Sequence, residues 1–508
     1  MIKEGGTFRM VAAFDNPIDP ALSGNITVGD AACGALMSYP DGRVPPEGLH
    51  LRAELAEAEP VVSRDGKTYT FTVRKDARFS DGKPVTARAF AHALERILTP
   101  AMESPFAPDF SVIVGAKKML DDKATTLAGA VAKGRTLTLR LTKRAPYFLL
   151  RTGALCAVSP TLPIDPEGVP APLHSAAPYY AAQYVPGERL VLERNRFYKG
   201  NRVHHIDRFV VTLNADPASA VDDIASGTFD CCVGRPTDIA ARTAELAQRY
   251  GVNKPGGQFF IEPGRGLRML VLNTSRPLFK NTPKLRQAVN FAVDRGRLAR
   301  EEGGRMARAT DQYLLPVTPG FKDERIYPLK GSDMERAKQL AKGHTRSGKA
   351  VLYTAAIPIA VAQAQIVKDN LSKIGLEVEI KPFPAPILFG KLATPGEPFD
   401  IGWIGWIGAA ADSSILNWMF DGRTIADAPN FGNFSYFDSP KYNRLLEEAS
   451  RLTGAKRDQA YRKLDVMLSR DAAPAIPFAG LNAWAFVSAR VGCVVMNPTL
   501  DLAAICLK

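Results

Sequence analysis

Side chains able to do chemistry are scattered thinly along this 508-residue chain, and they gather in one place, "FDIGWIGWIGAAADSSILNWM", residues 399–419. Three of the four tryptophans stand here, Trp403, Trp406 and Trp418, with glycines at 402, 405 and 408. An indole transfers no protons; it offers apolar surface, stacking and a single N–H donor. Aromatics at short spacing either pack a core or wall a recognition cleft, and in a cleft the glycines let the backbone come close to a ligand. Taken alone, the stretch favours packing.

The other reactive types form no constellation. The six histidines, His50, His92, His174, His204, His205 and His344, have no ligand-like spacing, and His204 and His205 on a strand would face opposite ways. Six cysteines occur without a C-x-x-C, so zinc and thioredoxin chemistry are unsupported. Cys231-Cys232 suggests a thiol nucleophile, but "GTFDCCVG" reads more simply as a short strand after a turn. The even count permits disulfides in an oxidising compartment. Among the 15 possible pairings, Cys493 with Cys506 is the first choice, with buried free thiols as the alternative. G-x-S-x-G, H-E-x-x-H, Walker A and G-x-G-x-x-G are all missing, so no motif argues for an enzyme, a metal or a cofactor.

The elements that must position these residues are mixed α and β. "KTYTFTV" (67–73) alternates Tyr69, Phe71 and Val73 as a half-buried strand between Asp-Gly turns. A helix follows from Thr86, with Phe90, Leu94, Ile97 and Leu98 on one face. "RTLTLRL", "ERLVLERN" and "IDRFVVTLN" read as further strands. Thr282-Pro283 opens a helix whose stripe is Leu285, Ala288, Val289, Ala292 and Val293. "VAQAQIVKDNLSKIG" and "LEVEI" read as helix, Gly375 stop and strand, and two helices meet at Gly454. Trp418, on the helix "SSILNWMF", is expected in the core.

Composition bounds the class. At 46% hydrophobic and 23% charged residues, the chain is ordinary globular protein, long enough for two to four domains or lobes. The uncharged run 350–367 contains two glutamines and Pro358 and makes a poor membrane span. The net charge of +13 is spread without a run of five basic residues, so a solvated surface is preferred to a nucleic-acid footprint, although an anionic partner or acidic membrane surface would be favoured. The start "MIKEGGTFRM" has no apolar leader core, as expected of a cytosolic chain or of a secreted one without its leader.

Read in order, "GGTFRM" with "IDPAL", "LAEAEPVVSRDGKTYTFTVRKDARFSDGKPVTA", "SAAPYYAAQYVPGERLVLERNRFYKG", "LNTSRPLFKNTPKLRQAVNFAVDR", "IGLEVEI" and "FDIGWIGW" resemble the solute-binding proteins, family 5, of bacterial peptide-type ABC importers. The resemblance runs from about residue 5 to 490; one departure is Ala177-Pro178-Tyr179, where the family usually reads Gly-Pro-Tyr. It implies an α/β, two-lobed periplasmic-binding-protein-like fold (type II, cluster C) with an extra subdomain in lobe one. On that plan lobe one holds 1–45, 166–262 and 478–508, the subdomain 46–165, and lobe two 263–477. The crossings fall near "EPGRG" and "PFAGL", whose Gly and Pro suggest loops.

The resemblance also implies a function: an extracytoplasmic receptor that is not an enzyme, captures a peptide or peptide-like solute between two lobes and docks on an ABC permease. It would be a monomer without cofactor or nucleic acid, in the periplasm or outside the membrane, and a lipoprotein if tethered there. The alternatives are a hydrolase using the same cleft and a solute sensor for a membrane receptor. In the family the segment after "FDIGWIGW" lines the cleft, which turns the expectation for Trp403 or Trp406 toward a ligand-facing role. Ser23, Gly24 and Asn25 of "LSGNITVGD" resemble the loop that reaches the solute, and Arg265 at the first crossing would hold an anionic group through its fork. Peptide-binding relatives commonly place an aspartate three residues after the Gly-Trp tryptophan to take the peptide ammonium. Here that position is Ala409, and the nearest carboxylate, Asp412, is expected to cap the following helix rather than serve as the clamp.

Overall fold

Alternating apolar residues set the strands of the first of two compact units, Met1–Glu262 with Trp484–Lys508; the second is Pro263–Ala483. The computed structural model describes residues 4–22, 28–39, 51–145, 148–234, 236–407, 412–425, 432–496 and 499–508. Ser23, Gly24, Asn25 and Ala409 lie outside the described residues.

Strand β1 (Thr7–Ala12) opens the first unit. A four-stranded sheet comes next, from β2 (Val61–Val62), β3 (Thr68–Thr72), β4 (Ala130–Lys133) and β5 (Thr136–Arg140), in the order β2-β3-β5-β4. Tyr69 and Phe71 are buried as their alternation requires, and helix α1 (Ala87–Leu98) adds Phe90, Leu94, Ile97 and Leu98 to the same core. Thr86 occupies the N-cap position, but its side chain makes no capping hydrogen bond. Arg96 on α1 is fully buried and reaches both carboxylate oxygens of Asp19, at 2.8 and 2.5 Å. Two charges survive such burial because each satisfies the other.

The main sheet of this unit adds β6 (Tyr179–Val185), β7 (Arg189–Arg194), β8 (Arg208–Thr212) and β9 (Cys231–Val233). β1 lies parallel between β8 and β9, with Met10 opposite both Val211 and Cys231. His204 and His205 precede β8 in an irregular segment, which corrects the strand geometry supposed for them. The structure pairs Cys493 with Cys506, and Cys33 with Cys156 across 123 residues. Cys231 and Cys232 are buried free thiols, and burial pushes both well above the ordinary thiol range, the reverse of what a nucleophile needs.

The second unit is built on β10 (Phe259–Leu272), followed by α2 (Pro283–Ala292) and α3 (Arg295–Glu301). The segment β11 (Lys349–Ala355), α4 (Pro358–Ser372), β12 (Glu377–Phe383), α5 (Ala385–Ala393), β13 (Ile401–Ile407) then alternates strand and helix. β11 runs parallel to both β12 and β13, and β10 closes this side antiparallel to β13. Helices α6 (Ile415–Phe420), α7 (Pro440–Ser450) and α8 (Gly454–Met467) precede strand β14 (Ala475–Val487). Pro283, Pro358 and Pro440 each open a helix, where the missing N–H has no cost and the fixed φ helps.

"EPGRG" and "PFAGL", expected as loops, are interior stretches of β10 and β14. Their glycines serve close approach instead. A Cβ on Gly264 would stand 2.7 Å from the Leu481 carbonyl oxygen, and one on Gly266 2.9 Å from the Leu481 Cβ.

Asp465 on α8 is buried and accepts hydrogen bonds from the Gln312 amide and from the Tyr313 and Leu314 N–H groups. Burial nevertheless pushes its carboxyl up to about 7. A carboxyl raised in the folded state adds stability that is fully present below its unfolded value and is lost as pH rises through the folded one. The stability difference between the native protein and Asp465→Asn is therefore expected to shift with pH between about 4 and 7, by up to about 1.4 kcal/mol per pH unit. Urea titrations of both proteins at several pH values check this; a constant difference would refute it.

Candidate functional site

On a strand, residues three apart face opposite sides. β13 carries Trp403 opposite Leu270 and Trp406 opposite Leu267 on β10, so the two indoles leave opposite faces of the second unit's sheet. One wall holding both rings is excluded by that register.

Trp403 points into the interior and is 4% exposed. Its indole N–H donates to Gln363 Oε1 at 2.7 Å, and the Gln363 amide nitrogen donates in turn to Glu302 Oε1 at 2.9 Å and to the Leu298 carbonyl at 3.1 Å. Arg268 on β10 donates to the same Glu302 oxygen at 3.1 Å and lays its guanidinium over the Trp403 ring, 4.9 Å from the centroid. Gly405 makes room for that arrangement, because a Cβ there would fall 1.6 Å from Arg268 Nη1. The packing reading of the opening stretch holds for this indole, and the exposure that a ligand-facing role requires is missing at Trp403.

Trp406 stands on the other face and is half-buried. Its ring meets Trp418 from α6 with centroids 4.0 Å apart and planes tilted by 42°. Trp418 is half-buried too, which corrects its assignment to the core. The Trp406 indole N–H is covered and makes no hydrogen bond among the described residues. Gly402 shares this face and admits Leu392 of α5, whose Cδ2 would lie 2.7 Å from a Cβ.

The helix that presents Trp418 is braced. Asn417 donates to the Leu446 carbonyl at 3.0 Å and accepts from the Tyr461 hydroxyl at 2.6 Å. Asp412 accepts the Ser414 N–H at 2.8 Å, an Asx turn just ahead of the helix rather than the N-cap itself, which is Ser414. The same carboxylate receives two hydrogen bonds from Arg457, at 2.7 and 2.9 Å, and Arg457 packs over Tyr461. Burial works against the charge on Arg457, and Asp412 more than offsets it.

Arg265 is half-buried on β10, one residue before the Gly266–Ile407 pair, which puts it at the same end of the sheet as Trp406. Chemically the arrangement offers stacking, apolar area and paired charge. No nucleophile with an adjacent base belongs to it, and no group of acidic, histidine or cysteine side chains able to hold a metal exists among the described residues. Sequence reasoning missed Arg268, Glu302, Gln363, Arg457 and Tyr461. Arg457 and Tyr461 sit four apart on a readable helix, and Gln363 is a polar residue in an apolar helix; those are the signals that could have found them.

The match to known proteins covers most of the chain. Residues 50–427 fit the family model described as bacterial extracellular solute-binding proteins, family 5 Middle. The periplasmic oligopeptide-binding protein OppA of Escherichia coli (strain K12) is 24% identical over 447 residues, spanning 84% of this chain and 79% of that protein. The periplasmic murein peptide-binding protein MppA of the same strain is 25% identical over 456 residues, spanning 84% and 80%. In fold, the solved structure named clavulanic acid biosynthesis oligopeptide binding protein 2 superposes with a TM-score of 0.85 at 22% identity, covering 99% of this chain and 96% of that one. Two lobes of mixed α/β structure and a family match over most of the chain agree, and the chain belongs to the bacterial extracellular solute-binding proteins, family 5.

Proposed function

We propose that the protein is the extracytoplasmic receptor of an ABC importer, that it is not an enzyme, and that its solute is a peptide or peptide-like molecule. The family match over residues 50–427 carries this reading. The peptide class is supported by relatives named for oligopeptides and murein peptides. The chain would act as a monomer in the periplasm or tethered by lipid outside the membrane, handing its solute to a permease. No helix among the described residues is long and apolar enough to cross a membrane. Within the site, Trp406 and Trp418 form the aromatic contact and Arg265 lies at the same end. Trp403 supports them from behind. Ser23, Gly24, Asn25, Ala409 and Asp412 complete the proposed set of solute-binding residues.

Mass spectrometry of the solute that co-purifies, followed by X-ray scattering with that solute restored, tests the reading. The radius of gyration is expected to fall on binding, as lobe closure requires. Trp406→Ala is expected to weaken binding by about 1–3 kcal/mol while moving the melting temperature little. A bound solute with no compaction would remove the closure mechanism, and unchanged affinity in Trp406→Ala would remove the aromatic contact.

A further inference from the structure

Two stretches of the second unit are rich in lysine and arginine and free of carboxylates: no acidic residue occurs from 274 to 293 or from 336 to 368. The fold brings them together. The N–H of Asp333, just ahead of the helix Met334–Ala341, donates to the Phe291 carbonyl near the end of α2 at 3.0 Å. Arg346, past the other end of that helix, donates to the carbonyl of Lys280, ahead of α2, at 3.3 Å. The two helices therefore lie antiparallel, with Lys280 and Lys284 at the same end as Lys338, Lys342 and Arg346. Lys349 then opens β11.

These six side chains are all exposed, and none forms an ion pair among the described residues. Cations at the margin do: Arg276 meets Asp400 at 3.1 Å, and Arg470, whose carbonyl accepts from Gln287 of α2, meets Asp471 at 2.8 Å. Asp333 is engaged with the Arg336 N–H at 3.0 Å. Glu335, one turn before Lys338, and Glu377, paired in register with Lys349, stand outside ion-pair distance. Like charges gathered in this way repel one another, and Lys284 stands in the first turn of α2, where the helix dipole disfavours a cation. A merely solvated face intersperses both signs. The patch also lies away from the aromatic site. Lys349 is four residues before Tyr353, which is level with Gly402, and Trp406 is four residues beyond Gly402. The separation is about 26 Å along the strands.

We propose that this basic end of the second unit docks on an anionic lipid surface through Lys280, Lys284, Lys338, Lys342, Arg346 and Lys349. The patch itself is independent of the function proposed above; the choice of lipid headgroups over nucleic acid rests on the extracytoplasmic reading. Exposed ammonium groups on flexible stems suit a fluid array of phosphates, which asks for charge rather than for one fixed geometry. The attraction acts within a Debye length, so it holds the protein at the surface without inserting it. Because the patch and Trp406 are far apart on the sheet, docking leaves the aromatic site uncovered.

The test is flotation of the full chain with vesicles of phosphatidylcholine alone, and of phosphatidylcholine with an equal part of phosphatidylglycerol. Binding to the anionic vesicles is expected to be at least about 10-fold tighter than to the neutral ones at low salt, and to be lost at about 0.5 M salt. Each basic residue that reaches such a surface tightens binding by about 5-fold, so the combined variant Lys280→Gln, Lys284→Gln, Lys338→Gln, Lys342→Gln should weaken it by at least about 50-fold. The same four positions changed to arginine keep the charge and should bind as the native protein does, which separates charge from damage to the fold. Lys75→Gln, Lys118→Gln, Lys133→Gln and Lys143→Gln combined remove the same charge from exposed positions of the first unit and should cost less than about 3-fold. No preference for the anionic vesicles, binding kept in the first glutamine variant, or an equal loss in the first-unit variant overturns the patch. Tighter binding to a short duplex DNA than to the vesicles, lost in the first glutamine variant, overturns the lipid assignment and makes the face a nucleic-acid surface. Solute capture enters none of these measurements, so the receptor reading is decided separately.

Discussion

Replacing Trp403 with alanine is expected to lower the stability of the protein by about 3–5 kcal/mol. The ring is almost completely enclosed, so its removal leaves a cavity that the surrounding sheet and helices cannot fill. It also leaves polar groups without partners. Gln363 Oε1 would lose its indole donor, and Arg268 its aromatic face. Glu302 is buried and already has one carboxylate oxygen with no hydrogen bond among the described residues, so the network has little slack. Trp403→Phe isolates the hydrogen bond: it keeps most of the apolar area and should cost about 1–3 kcal/mol through the orphaned amide oxygen. Gly405→Ala attacks the same network from the strand, because its methyl group would collide with the Arg268 guanidinium. Chemical denaturation of the three variants beside Trp406→Ala is the measurement. Trp403→Ala no less stable than Trp406→Ala would show that the two indoles are equivalent after all.

How much of this was legible depended on the range of the interaction. Local rules placed the strand around Tyr69 and Phe71, the helix opened by Pro283, and the break at Gly454, because each is decided by residues within a few positions. The Cys493–Cys506 pair was legible for the same reason, whereas nothing local marks Cys33 for Cys156. The tryptophan stretch announced itself as important but did not disclose which ring packs and which faces outward. That depends on reading 401–407 as a strand, whose two-residue period sends Trp403 and Trp406 apart, and on Arg268 from another strand filling the space over Gly405. Gly264 and Gly266 were misread as loop residues because glycine marks both turns and close backbone contacts, and only the partner strand distinguishes them.

Free di- and tripeptides are expected to be poor ligands, at least about 100-fold weaker than their N-acetylated forms. The resemblance to peptide-binding relatives implies an aspartate three residues after the Gly-Trp tryptophan as the common ammonium partner; in this chain that position is Ala409, which supplies neither charge nor acceptor. Asp412 is the nearest alternative, and its carboxylate is already occupied. Both oxygens receive Arg457 N–H groups, one also receives the Ser414 N–H, and the ion pair is mostly enclosed. An arriving ammonium would therefore meet a pair of no net charge. To win Asp412 it would have to strip a buried guanidinium of its partner, and breaking such a pair costs about 3–5 kcal/mol. Losing the hydration of the ammonium without that exchange costs several kcal/mol as well. Either route outweighs what one exposed charge contact returns. The solute end that lies against this flank is accordingly expected to be neutral, anionic or blocked. Arg457→Gln gives the converse: with the guanidinium removed, Asp412 regains an uncompensated carboxylate, and affinity for free dipeptides should rise relative to acetylated ones. Calorimetry with a mixed panel of free and acetylated di- and tripeptides decides the matter. Sub-micromolar binding of free dipeptides that disappears in Asp412→Asn would make Asp412 the ammonium clamp in spite of Arg457, and the solute an ordinary peptide.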